Sequence, residues 1–197
     1  MSGALPNTSD FTAINVKSNQ QTQVSVSDSG KSFRRQVAGQ YWSFSLSFPE
    51  ITRANFAPLQ AFMIKQRGAK ESFTVTFPSY MNAQGTASGS PTGTASAGAT
   101  SITLGGSGSG TLKAGDFIKF ANHDKVYMIV ADAGNIASSN TLTIEPPLQT
   151  AVSGIAITYD SVPFTVYAPN DVQQFRASNS SSGEPLFRYE IDVVEAI

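Results

Sequence analysis

Apolar and polar residues alternate strictly at several places along the chain. In Gln40–Phe48 (QYWSFSLSF), Trp42, Phe44, Leu46 and Phe48 fall on one side, and Tyr41, Ser43, Ser45 and Ser47 on the other. A period of two is the mark of a half-buried strand. Pro49 ends it. Ser72–Phe77 repeats the pattern with Phe73, Val75 and Phe77, and ends at Pro78. Leu186–Glu195 sets Phe187, Tyr189, Ile191 and Val193 against Arg188, Glu190 and Asp192. Val162–Ala168 alternates too, and Pro163 at its start favours an edge. Ala13–Val16, Gln21–Val26 and Ser32–Val37 are weaker strands, the last following the turn Asp28-Ser29-Gly30.

One segment changes period. In Ile51–Gly68 (ITRANFAPLQAFMIKQRG), Phe56, Leu59 and Met63 recur at helical spacing, with Phe62 and Gln66 beside them. Thr52 is a candidate N-cap, and Gly68 suits the C′ position. Pro58 is awkward in a helix interior. The expected solution is an irregular turn at 52–56 and a helix starting near Ala57, with Pro58 at its first position.

From Ser72 to Leu112 no charged residue occurs. Asn82–Ala99 is rich in Gly, Ala, Ser and Thr, and Gly105–Gly110 reads GGSGSG. Such stretches are either flexible linkers or tight loops of a small β module. Strands near 99–104 joined by Gly-rich loops are the favoured reading. Further strands are expected at Asp116–Phe120, Lys125–Val130, Thr141–Glu145 and Ile155–Tyr159, with Ala121–Asp124 as a hairpin turn. The fold class is therefore all-β. An antiparallel β-sandwich with one short helix is expected over 1–82 and 161–197, and an inserted small β-barrel-like module over 83–160.

Composition narrows the function. The 197 residues include 14% charged residues and carry a net charge of −1. Soluble domains average about 25% charged, so much of this surface is expected to be covered by something else. A neutral chain has no electrostatic footprint for nucleic acid. The absence of cysteine excludes disulfides and thiolate chemistry. Met1–Asp10 has no signal-peptide pattern, and no apolar run spans a membrane. Synthesis in a cytoplasm is the expectation.

Candidate chemistry is sparse. The single histidine, His123, sits in a turn and reads as a solvated turn residue, not as part of a catalytic triad. GGSGSG lacks the Lys-Ser/Thr of a phosphate loop and opens no helix. The 14 acidic residues allow a glycosidase pair in principle, but nothing selects one. No catalytic residue, metal site or cofactor is expected. Arg34 and Arg35, with Lys31, form the only basic cluster, suited to an interface rim or a salt-bridged surface. Arg53 and Arg67, near the helix, face solvent or a neighbouring subunit.

Residues 41–78, YWSFSLSFPEITRANFAPLQAFMIKQRGAKESFTVTFP, join an aromatic strand, a helix, a QRG exit and a second aromatic strand. Together with TLKAGDFIKFANHDKVYMIVADA (111–133) and TLTIEPPLQTAV (141–152), they resemble the distal and minor tail proteins of long-tailed phages. The resemblance implies a virion tail subunit without catalytic residues. It also implies a hexameric ring joining the tail tube protein to tip, hub or baseplate proteins. Arg34, Arg35, Arg53 and Arg67 are then the candidate oligomer-interface residues. A carbohydrate- or receptor-binding role for the 83–160 module is the alternative, and an envelope-polysaccharide hydrolase a remoter one.

Overall fold

A computed structural model describes residues 3–6, 11–37, 39–78, 80–137 and 139–197. Most of Met1–Asp10, the stretch read as lacking a signal-peptide pattern, lies outside the described residues. The chain is mainly β. In order it forms β1 (Ala13–Asn19), β2 (Thr22–Val26), β3 (Ser32–Gln36), β4 (Tyr41–Ser47), β5 (Ile51–Thr52), helix α1 (Arg53–Lys65), a 3-10 turn (Gly68–Lys70) and β6 (Phe73–Val75). Six strands follow: β7 (Pro91–Ala95), β8 (Ser101–Gly106), β9 (Phe117–Phe120), β10 (Val126–Ile129), β11 (Thr141–Glu145) and β12 (Val152–Thr158). The chain ends with β13 (Phe164–Tyr167), β14 (Phe175–Asn179) and β15 (Pro185–Glu195).

The main sheet runs β1-β4-β15-β13-β6, and β5 and β14 pair with the first half of β15. Its central strands bury the aromatic stripes. Trp42, Phe44 and Leu46 of β4, Phe48 just after it, and Tyr189, Ile191 and Val193 of β15 point into one core with Phe73, Val75 and Phe164. Phe44 lies 4.9 Å from both Phe77 and Phe164, ring centre to ring centre. The outward positions of β4 are Tyr41 and three serines. β13 lies between β15 and β6, so it is an interior strand and not the edge that Pro163 suggested. Pro163 precedes the first ladder residue, Phe164, so its missing N–H removes no sheet bond.

The helix closes this core with Phe56, Leu59 and Met63, the face its spacing predicts. Its start differs from expectation. It begins at Arg53, with Thr52 in the N-cap position but without a side-chain cap bond, and Pro58 sits inside it. Tertiary packing overrides the proline: Phe56 stacks on Phe187 at 4.8 Å and touches Phe175 at 5.2 Å. The carbonyl that loses its partner to Pro58 belongs to Ala54, which is exposed to water. The helix ends at Gln66, and Arg67, not Gly68, is the first left-handed residue (φ 58°).

Strands β7–β12 close a separate six-stranded antiparallel barrel in the order β10-β11-β8-β7-β12-β9. Ile102, Ile118, Phe120, Tyr127, Ile129, Leu142 and Ile144 fill it. Sequence reading missed β7, PTGTA, because it carries no large side chain. The barrel needs that smallness: a Cβ on Gly93 would lie 2.7 Å from the Phe120 ring and 2.9 Å from Ile102. The Gly-rich stretches are tight loops. Residues 86–90 run antiparallel to 106–111, through Ser88 and Ser109 and through reciprocal Thr86 and Thr111 bonds of 3.2 Å. Gly110 has φ +83°, and a side chain there would strike the Thr86 carbonyl.

The ends of the barrel segment meet, since the Ser161 amide donates to Asn82 Oδ1 at 3.2 Å.

Candidate assembly surfaces

A buried ion pair, Lys125 with Glu195, holds the barrel against the sheet. The inward stripe of β15 continues past Val193 to Glu195, and that of β4 extends back past Trp42 to Gln40. Both polar residues are therefore buried by register. Lys125, just before β10, meets them. Its Nζ lies 2.5 Å from Glu195 Oε2 and 2.8 Å from Gln40 Oε1. Glu195 also accepts the amides of Trp42 (3.0 Å) and Val126 (2.9 Å), while the Trp42 indole donates to the Val126 carbonyl (3.1 Å). Burial pulls the Lys125 ammonium below its usual range, and the Glu195 charge opposes that shift. Apolar packing joins at the same seam: Phe117 packs edge-on against Trp42 at 5.2 Å and against Phe164 at 5.6 Å.

A second tie lies alongside. Lys119 Nζ reaches Asp124 (2.9 Å), the Pro163 carbonyl (3.3 Å) and Thr165 Oγ1 (3.2 Å). Burial alone would raise the Asp124 carboxyl. The Lys119 and Thr165 hydrogen bonds and the Lys119 charge outweigh it, so the group is held low.

His123 is not a solvated turn residue. It lies half-buried on Phe120 (5.7 Å) and bonds Tyr127. The Tyr127 oxygen accepts the Gln149 amide at 2.9 Å, so its proton goes to His123 Nε2 at 2.8 Å. Nδ1 then carries the imidazole proton and donates to Asn122 Oδ1 at 2.7 Å. Burial pushes the Tyr127 phenol up to about 12, which keeps that donor protonated. Burial, with Lys119 nearby, pushes His123 below 6.5. A folded pKa below the unfolded one means that the unfolded chain binds more protons in that window. Stability from His123 is thus complete above pH 6.5 and falls as pH drops through the folded value. Melting temperature should decline on acidification below pH 6.5, above the carboxylate range, and His123→Gln should flatten that part of the curve. An unchanged slope would contradict it.

The outer surface carries an unusual ribbon. Among the described residues β2 and β3 pair only with each other, from Thr22 opposite Gln36 to Val26 opposite Ser32, and all ten residues are exposed. Val26 is 65% exposed, Val24 57% and Phe33 54%. Arg34 and Arg35 stand on this ribbon. Arg53 opens the helix and Arg67 follows it, and both are exposed. At about 1.5 Å per residue, the 13-residue helix separates Arg53 from Arg67 by about 20 Å, so the structure does not gather the four arginines into one patch.

At the sheet edges, residues 3–5 cover β6 through Leu5 and Thr74, whereas β1 pairs only with β4 among the described residues. No helix among the described residues is long and apolar enough to cross a membrane. No cluster of three metal-ligating side chains occurs among them either.

A sheet carrying one helix, a barrel locked to it and an exposed ribbon define a mainly β protein of two packed units. Residues 6–80 match the family model "Distal tail protein pb9, A domain, N-terminal", and residues 80–157 match "Distal tail protein pb9, B domain". The two matches meet at residue 80, and the second contains nearly all of the barrel. The chain belongs to the phage distal tail proteins, structural components of the virion tail. No curated protein matches it at a significant level.

Proposed function

We propose that this subunit closes into a ring, of six copies as the family resemblance implies, at the distal end of the tail tube. There it joins the tube protein to the tip, hub or baseplate proteins. The β2–β3 ribbon carries the proposal. A two-stranded ribbon exposed on both faces is marginal in water on its own, and this one offers valine, phenylalanine and arginine to a partner. The open β1 edge, with Lys17 its only charged residue, gives little protection against strand pairing. In this reading the chain is not an enzyme. The Lys125–Glu195 and Lys119–Asp124 pairs serve the seam.

The same reading divides the chain into a discontinuous sheet domain, 1–82 with 161–197, and an inserted barrel, 83–160. The Asn82–Ser161 bond and the closed strand order within 91–158 support that division.

Light scattering tests the ring. Six chains of 20.8 kDa give a particle of about 125 kDa. The expected result is one discrete mass near that value, alone or on addition of tail partners. A strict monomer at high concentration that ignores tail partners would overturn it.

A further inference from the structure

We propose that the β2–β3 ribbon of one copy seats in a groove of the next copy, between the 168–176 segment and β15; this rests on the ring reading above. The groove has a volume of about 1010 Å³. It combines Asp171, Glu190 and Asp192 with Arg176 and Arg188 and with exposed apolar Val172 and Phe175.

The ribbon complements it on three counts. First, its charge is opposite: residues 22–36 hold Lys31, Arg34 and Arg35 against Asp28 alone, while acids outnumber bases in the groove. None of the described ion pairs uses a ribbon cation.

Second, its apolar groups are displayed for a two-sided fit. Directly opposed residues share a face, so Val24 with Arg34 and Val26 with Ser32 form one face, and Ser25 with Phe33 and Gln23 with Arg35 the other. Each face thus pairs apolar bulk with an arginine. Val172 is 72% exposed and Phe175 45%, which gives the groove apolar surface to receive them.

Third, ribbon and groove are different surfaces of the chain. A contact between them is heterologous, the kind that closes a ring when its rotation divides a full turn, and it does not end as a dimer. Arginine forks on carboxylates would fix the register, and the apolar groups would supply area.

The experiment reverses charges in the full-length chain. Arg34→Glu with Arg35→Glu should weaken self-association at least about tenfold, as loss of close interfacial charge pairs does. Glu190→Lys with Asp192→Lys should do the same, and mixing the two variants should restore association. The ribbon residues and Glu190 are exposed, so melting curves of the variants should match the native one.

Because the chain has no cysteine, Val24→Cys with Gln174→Cys gives an independent readout. Oxidation should produce disulfide-linked multimers, and either substitution alone should give no ladder. If the ring forms but neither charge reversal nor cross-linking touches it, the ribbon seats elsewhere and the ring survives. If the native chain never associates, the ring itself falls.

Discussion

Replacing Glu195 by alanine is expected to destabilise the protein by about 3–5 kcal/mol, the usual cost of leaving one half of a buried ion pair without its partner. The change removes the acceptor of three donors at once: Lys125 Nζ and the amides of Trp42 and Val126. Lys125 is 3% exposed and keeps only Gln40 as a neutral partner. Lys125→Met should also be costly, because Glu195 then holds a buried charge against two amides alone.

The double variant Lys125→Met with Glu195→Gln should recover much of the loss, since no net charge remains inside and the glutamine carbonyl still accepts an amide. Urea unfolding of the native chain, Lys125→Met, Glu195→Gln and the double variant closes the cycle and gives the coupling directly. If each single change costs under about 1 kcal/mol, a surface-pair value, the buried pair does not hold the seam.

The second large effect concerns the barrel. Joining Asn82 to Ser161 directly is geometrically simple, since the two already share a hydrogen bond. The product is nevertheless expected not to fold. Excision of 83–160 strips Phe117 and Val126 from the sheet core and uncovers Trp42 and Phe164. Deleting large core side chains costs about 3–5 kcal/mol each, and a domain has only about 5–15 kcal/mol in all. The excised chain should lack a cooperative thermal transition. A soluble product that melts at the native temperature would show that the barrel is an accessory carried on an independent sheet.

The sheet was legible because period two needs no tertiary information. Trp42 to Phe48, Phe73 to Phe77 and Phe187 to Val193 declare their inward faces on sight. So did the helix face of Phe56, Leu59 and Met63. The helix start was not legible, because Phe56 owes its helical place to Phe187 and Phe175, more than a hundred residues away. β7 and β14 were missed for a different reason: PTGTA and FRASN have no apolar alternation, and pairing with their neighbours alone makes them strands.

The seam could have been found. Carrying the β15 alternation two residues beyond Val193 lands on Glu195, and carrying that of β4 back from Trp42 lands on Gln40. Two polar side chains at core register ask for a buried partner. Sequence offers many lysines, however, and only the closed barrel brings Lys125 to them. The ribbon was the opposite case. Val24 and Val26 alternate like a half-buried strand, so nothing in the sequence reveals that both faces of this hairpin lie outside the fold.

The most direct test of the assembly account is electron microscopy of intact phage with gold attached at the β14–β15 turn, at the exposed residues 181–183. Gold should mark a single band at the far end of the tail, with ring-like density in end views. Gold spread along the whole tube, or found on the capsid, would contradict a distal ring subunit.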